Sequence, residues 1–152
     1  AHARFSATSR EYEYYISLVK DVFNYKTSHL IQQDLNIKKM NQAISIIKDY
    51  EDFEAFSKSK TDVKTYLCNI ISCSIIEKEN ILIFRIKANR FLRNMVRAIV
   101  GTLIEIGEGK NEINHMDKVI ISKNREEAGY SVPAHGLYLT DIIYPENFLL
   151  DG

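Results

Sequence analysis

Residues 91–108 read FLRNMVRAIVGTLIEIGE, and this stretch decides how the rest of the chain folds. Its apolar residues recur at intervals of three and four, which is the spacing of one face of an α-helix. The stripe consists of Leu92, Met95, Val96, Ile99, Leu103 and Ile106. The pattern predicts a main helix over 91–108 that buries this stripe. Gly101 costs ~1 kcal/mol relative to alanine in a helix interior, which suggests that another backbone passes close to it.

Three arginines accompany the start of this predicted helix: Arg90, Arg93 and Arg97. Their spacing of three and four residues would place them along one side of the helix. Asp and Glu are absent from the same two turns, although the helix macrodipole favours negative charge near an N-terminus. Two interpretations stay open, a solvated basic face and a site for an external anion such as phosphate or a carboxylate.

The segments before residue 91 predict strands and one helix. Residues 10–18 are rich in tyrosine and β-branched residues, as strands are. Asn36 is a candidate N-cap for a helix whose apolar residues follow at helical spacing. Residues 65–76 and 81–88 are two strand-like runs joined by the polar loop 77–80, which indicates a β-hairpin.

Two connecting segments complete this part of the chain. Residues 19–35 have no clear period and predict a long loop. The sequence DFEAFS at 52–57 predicts a short turn, and we expect its two phenylalanine side chains to be buried in the core.

The segments after residue 108 predict a second helix and a last strand. Asn114 could cap a helix over 115–123, and residues 137–144 return to a strand pattern. The resulting order is strand, helix, hairpin, helix, helix, strand. Such a mixture predicts an α+β fold, with a mostly antiparallel sheet covered by helices on one face.

Length and charge allow one domain and leave its partner open. The 152 residues carry 20 Lys and Arg against 20 Asp and Glu, so net charge neither supports nor opposes nucleic-acid binding. No apolar run approaches the ~18 residues that span a bilayer, so we expect no membrane association and a cytoplasmic, reducing location.

Several chemistries find no support in the sequence. The four histidines are scattered and do not pair with either cysteine at zinc spacing. Neither a glycine-rich phosphate loop nor a G-x-S-x-G nucleophile turn is present. We therefore expect no metal and no cofactor.

One face of the first predicted strand carries Arg10, Tyr12 and Tyr14. A tyrosine ring can stack on a base, and a guanidinium can pair with a phosphate. The alternative is that these tyrosines are half-buried strand formers beside a solvated arginine. The residue types alone favour that alternative.

Four segments, in order and correctly spaced, resemble the tRNA pseudouridine synthase A family. They are HARFSA at 2–7 followed by the R-x-Y-x-Y of 10–14, DFEAF at 52–56, FLRNMVRAIVG at 91–101, and Arg125 with AG at 128–129 and PAHGLYL at 133–139. The resemblance implies half of a pseudouridine synthase fold, in which two related α+β halves join their sheets around an RNA-binding cleft. It also implies a homodimer that binds tRNA and converts uridines of the anticodon arm to pseudouridine without a cofactor.

In that family an aspartate within R-T-D-x-G attacks the nucleoside, and the uracil detaches, turns and rejoins through carbon. This motif is absent from the 152 residues, and Ala1 stands where the family has phenylalanine. We therefore expect residues 1–152 to be an excised C-terminal domain without the N-terminal domain that carries the aspartate. We expect this fragment alone to be inactive.

The resemblance also assigns site residues. Tyr12 matches the tyrosine that stacks on the target base, with proton transfer as a second role, and Arg97 matches the arginine that pairs with the catalytic aspartate. Leu137 and Leu139 match the apolar wall of the base pocket, and Met95 is expected beside the substrate. The candidate phosphate contacts are Arg4, Arg10, Arg90 and Arg93.

Two functions from other classes remain possible on sequence alone. One is a non-catalytic RNA-binding module that uses the same tyrosine and arginines, and the other is a protein-interaction domain. Salt-dependent tRNA binding would favour the first over the second. An R-T-D-x-G segment upstream in the gene would favour the enzyme over both.

Overall fold

The computed structural model describes residues 8–20, 27–58 and 64–143. Within these ranges three α-helices pack with a five-stranded sheet, which confirms the predicted α+β class. The elements follow the predicted order, with one additional short strand, β2, after the first strand. The elements are β1 (Ser9–Ser17), β2 (His29–Leu30), α1 (Ile37–Ile47), β3 (Ile70–Lys78), β4 (Ile81–Ala88), α2 (Met95–Gly107), α3 (His115–Ser122) and β5 (Leu137–Ile143). None of the described helices is long and apolar enough to cross a membrane.

The sheet is built around β1. One edge of β1 pairs antiparallel with β4, which in turn pairs with β3 in the predicted hairpin. The other edge of β1 pairs antiparallel with β5 and then, over its last two residues, parallel with β2. The sheet is therefore mostly antiparallel, as predicted. The β1–β5 register places Leu139 opposite Tyr12 and Leu137 opposite Tyr14.

One face of the sheet forms the core with the helices. On β4 the alternate residues Leu82, Phe84, Ile86 and Ala88 are buried, as the period-two pattern predicts. The DFEAFS segment forms a 3₁₀ turn over Glu54–Phe56, and both of its phenylalanines are fully buried. The predicted N-cap also forms, because the Asn36 side chain accepts a hydrogen bond from the backbone N–H of Lys39 at 3.1 Å.

The start of the main helix differs from the prediction. Helix α2 begins at Met95, and Asn94 before it has a left-handed backbone with φ of 71°. Arg90 and Arg93 therefore precede the helix, and the prediction that they share one helical side with Arg97 is wrong. The apolar period extends into this turn because Leu92 is buried there too, and such a period reports burial, not backbone dihedral angles.

Other boundaries differ as well. β3 begins at Ile70 instead of residue 65, and the hairpin turn has two residues, Glu79 and Asn80, instead of four. A bulge between Ile70 and Ser72 shifts the β3 register. Asn114 precedes α3 but makes no capping hydrogen bond. The predicted loop 19–35 contains β2, and residues 21–26 and 144 lie outside the described ranges.

The close approach expected at Gly101 is confirmed. A Cβ atom on Gly101 would overlap the carbonyl oxygen of Tyr130. On the opposing segment, a Cβ on Gly129 would lie 2.8 Å from the backbone of Gly101 and Thr102. Two facing glycines thus let residues 129–133 lie directly on α2.

Candidate active site

A groove of about 330 Å³ opens where β1, the start of α2 and the start of β5 meet. Its apolar part comes from Leu92 just before α2, from Met95 at the start of that helix and from Leu137 of β5. Met95 is fully buried, and Leu137 is half-buried. Sheet register and helix packing bring Tyr12 of β1 together with Leu137 of β5, which lies more than a hundred positions later in the sequence.

Four cationic side chains line this groove: Arg10, Lys58, Arg93 and Arg97. Neither Asp nor Glu is among its lining residues. The chain as a whole has no net charge, so the positive charge at the groove is local. Such a concentration of one sign favours anionic groups.

Arg97 occupies the first turn of α2. Its Nε donates a hydrogen bond to the carbonyl oxygen of Val132 at 2.7 Å, and its own carbonyl oxygen accepts from the Val132 N–H at 3.2 Å. Within the described residues, the terminal guanidinium nitrogens of Arg97 have no hydrogen-bond acceptor. Among the described residues, no carboxylate forms an ion pair with Arg97.

Tyr12 lines the same groove from β1. Its half-buried ring stands edge-on to Phe91, with ring centroids 5.0 Å apart and planes at 90°. Tyr14 has a different environment, since it is fully buried and its hydroxyl donates to the carbonyl oxygen of Pro133 at 2.6 Å. Burial raises the pKa of Tyr14. The stacking surface foreseen on β1 is therefore reduced to Arg10 and Tyr12.

Two of the remaining predicted site residues, Arg90 and Leu139, do not line the groove. Arg90 donates from Nη1 to the carbonyl oxygens of Thr65 and Leu67, at 2.9 and 3.0 Å, and so holds the segment before β3. Leu139 is 48% exposed on β5 and does not line the groove. Arg4 lies outside the described residues.

Lys58 is a groove residue that the sequence analysis did not identify. It follows the 3₁₀ turn, and its backbone N–H donates to the carbonyl oxygen of Arg93 at 3.1 Å. This hydrogen bond places two cationic residues from distant segments side by side. The one signal in the sequence is that Lys58 comes directly after the turn predicted to enter the core.

In the part of the chain that the structure describes, no group of three or more His, Cys, Asp or Glu residues could hold a metal ion.

The groove residues lie in or beside segments that match a known family. The sequence profile described as tRNA pseudouridine synthase matches residues 50–145. The tRNA pseudouridine synthase A of Parabacteroides distasonis is 49% identical over 146 residues, covering 96% of this chain and 58% of that protein. The same enzyme of Bacteroides fragilis is 48% identical over 147 residues, again covering 96% of the chain and 58% of the relative.

A more distant relative gives the same result. The tRNA pseudouridine synthase A of Bacillus licheniformis is 39% identical over 145 residues, covering 94% of this chain and 59% of that protein. The chain thus spans somewhat under three fifths of the length of these relatives. The profile covers more than half of the chain, and the resemblance seen in its sequence motifs is confirmed: the chain belongs to the tRNA pseudouridine synthase family.

Proposed function

We propose that this chain forms one side of the active site of an enzyme that isomerises uridine to pseudouridine in tRNA. One observation carries the proposal: Arg97 and Tyr12 line a single positive groove, and within the described residues Arg97 has no carboxylate partner. A groove of this kind suits an acidic side chain and a nucleobase that both come from elsewhere. The relatives named tRNA pseudouridine synthase A support the same activity.

The chemistry follows from the residues in the groove. An aspartate carboxylate that enters beside Arg97 would be held in its ionised form by the guanidinium, which can donate two parallel hydrogen bonds. The Tyr12 ring would stack on the uracil, while Leu137 and Met95 provide an apolar wall. The carboxylate attacks C1′ of the nucleoside, and the glycosidic C–N bond breaks to release uracil. C5 of the turned uracil then bonds to C1′ as the bond between C1′ and the carboxylate breaks, C5 loses its proton, and N1 gains one.

The remaining cations of the groove fit the RNA backbone. Arg10, Lys58 and Arg93 surround the position of the target base and are proposed phosphate contacts. Arg4, Arg90 and Leu139 remain predicted contacts on the family resemblance, and no groove geometry supports them.

The proposal extends to the whole protein on the resemblance alone. The chain acts as a C-terminal domain, and an N-terminal domain supplies the nucleophilic aspartate. The intact enzyme is a homodimer in the cytoplasm, modifies the anticodon arm and uses no cofactor. The chain alone binds tRNA without forming product.

The test is replacement of Arg97 in the intact protein. Arg97→Ala should lower kcat for pseudouridine formation by a factor of about 10³ or more, because the attacking carboxylate loses the cation that orients it. Arg97→Lys should recover part of this loss, since the charge is kept and the planar fork is not. Pseudouridine formation is measured by the release of tritium from tRNA that carries uridine labelled at C5, because C5 loses its hydrogen when it bonds to the sugar.

The control is Tyr50→Phe, which removes a hydrogen bond of 2.6 Å to Asp117, outside the groove. Its turnover should equal that of the wild type. Normal turnover by Arg97→Ala would remove this residue from the site. If the intact wild-type protein binds tRNA but forms no pseudouridine, the chain is part of an RNA-binding module instead.

A further inference from the structure

The segment 129–133, here called the strap, crosses α2 and is bonded to it at several points. The backbone N–H of Gly129 donates to the hydroxyl of Thr102 at 2.8 Å. At the other end, the Tyr14 hydroxyl donates to the carbonyl oxygen of Pro133 at 2.6 Å. The strap therefore has one fixed position relative to both the helix and β1.

The middle of the strap sets the direction of the Arg97 side chain. Val132 is fully buried and bonds Arg97 twice, once through the helix backbone and once through Nε. A guanidinium is planar and rigid, so a hydrogen bond from Nε to a fixed carbonyl oxygen restricts the orientation of the whole group. Any displacement of Val132 would therefore turn the terminal nitrogens of Arg97.

Arg125 and Asn94 also hold the strap, and both converge on Ser131. The Ser131 hydroxyl oxygen accepts from Asn94 Nδ2 at 2.6 Å and from Arg125 Nη2 at 2.8 Å. Arg125 also donates from Nη1 to the carbonyl oxygen of Gly129 at 2.9 Å. The fork of Arg125 thus spans the strap residues that precede Val132, and the point charge of a lysine could not do so with the same geometry.

We infer that Arg125 and Ser131 are positioning residues that orient the Arg97 guanidinium in the groove through the strap. Neither residue lines the groove, so neither touches the substrate. Their hydrogen bonds fix Gly129 and Ser131 in place. They thereby fix the Val132 carbonyl oxygen, which accepts the hydrogen bond from Arg97 Nε. Their effect on catalysis rests on the proposed function, whereas their effect on the orientation of Arg97 does not.

The first test is spectroscopic and independent of activity. In the intact protein labelled with ¹⁵N, the Nε–Hε signal of Arg97 is assigned by its disappearance in Arg97→Lys. Ser131→Ala and Arg125→Lys should each shift this signal and speed its hydrogen exchange by about tenfold, which corresponds to weakening one hydrogen bond.

The matched control is Arg90→Lys. Arg90 also bonds two acceptors outside its own segment, the carbonyl oxygens of Thr65 and Leu67, but it does not contact the strap. Its replacement should lower stability by a similar amount and leave the Arg97 signal in place. If Ser131→Ala and Arg125→Lys lower stability without moving the Arg97 signal, the two residues only stabilise the fold and the inference is wrong.

The second test is kinetic. Ser131→Ala should lower kcat by about tenfold to a hundredfold, because a misplaced catalytic group loses much of its rate advantage. KM for tRNA should change by less than about twofold, because the phosphate contacts are untouched. A rise in KM with unchanged kcat would contradict positioning. If the wild type forms no pseudouridine at all, the proposed function fails, and the spectroscopic test alone decides the role of Arg125 and Ser131.

Discussion

At the residue scale, the close approach of the Tyr130 carbonyl oxygen to Gly101 leaves no room for a side chain at this position of α2. Gly101→Ala would gain ~1 kcal/mol of helix propensity but would push the strap off the helix. Overpacking of this kind costs ~1–3 kcal/mol, and the obstacle here is backbone, which cannot rotate away. We expect a net loss of up to about 2 kcal/mol in the free energy of unfolding, measured by urea denaturation.

Gly107 of the same helix provides the comparison. A Cβ there would meet the Met40 side chain, with Sδ at 2.7 Å, and a methionine side chain can move aside. Gly107→Ala should therefore cost less than Gly101→Ala, with a difference of about 1 kcal/mol or more. Equal effects of the two variants would mean that the strap can shift without cost.

Burial of the Cys73 thiol gives the protein a stability that depends on pH. Cys73 is 4% exposed, and burial raises the pKa of its thiol from the ordinary 9.0 to about 12. Because the pKa is higher in the folded state, this contribution is complete below pH 9 and is lost as pH rises toward 12. We expect the free energy of unfolding to fall by up to about 4 kcal/mol over that interval, in urea titrations at fixed pH under reducing conditions.

The variant Cys73→Ala separates this effect from other alkaline titrations. Without the Cys73 thiol, stability should fall less steeply as pH rises above 9. A slope remains because burial also raises the pKa of Cys68 and of Tyr14. The same slope in both proteins would contradict a thiol that stays protonated in the core.

Single residues of the site were predictable to different degrees. Tyr12 and Arg97 lie within motifs, and the structure places both in one groove. Lys58 reaches the groove only because its backbone bonds Arg93, a contact between segments that no local pattern contains. Arg90 has the same charge as Arg93 and lies three residues before it, yet the Arg90 guanidinium binds two carbonyl oxygens outside the groove. Charge and spacing alone could not distinguish these cases.

At the element scale, the order of helices and strands follows from hydrophobic period, while their ends follow from local backbone geometry. The start of α2 was placed four residues too early because Asn94 breaks the helix without interrupting the apolar pattern. The pattern also predicts the start of β3 too early, because the segment before Ile70 is partly buried and makes only an isolated antiparallel bridge, from Leu67 to Asp52, outside the main sheet. Periodicity detects burial, so it cannot locate a left-handed residue or a bulge.

The C-terminal end of α3 offers a prediction on the same point. Lys123 ends this helix in a left-handed conformation with φ of 55°, which favours glycine. Lys123→Gly removes that strain and loses an exposed ion pair with Asp52 at 3.3 Å, which is worth little. We expect a gain of about 0.5–1 kcal/mol in stability, measured by thermal and urea unfolding.

Lys118 is the control within the same helix. It is exposed and lies in the helix interior, so Lys118→Gly should lower stability by about 1 kcal/mol. The prediction requires that Lys123→Gly raise the free energy of unfolding and that Lys118→Gly lower it. A loss of stability in Lys123→Gly would mean that the ion pair outweighs the backbone strain.

At the scale of the whole molecule, the distribution of charge matters more than its sum. Twenty basic and twenty acidic residues cancel, yet the residues that line the groove include four cations and no acid. Screening by salt restricts the influence of the other charges to about 10 Å at moderate ionic strength. An RNA strand in the groove would therefore experience a local positive field although the chain is neutral.

This local field makes the salt dependence of tRNA binding a quantitative test. Each cation that neutralises a phosphate releases counterions and contributes about 0.7–0.9 to the slope of log K against log salt concentration. Lys58→Gln and Arg93→Gln should each weaken binding and lower the magnitude of that slope by about one. Lys38→Gln, which removes the same charge from the exposed side of α1, should leave affinity and slope unchanged. Equal losses in all three variants would mean that tRNA responds to overall charge, and the groove would then not be the binding surface.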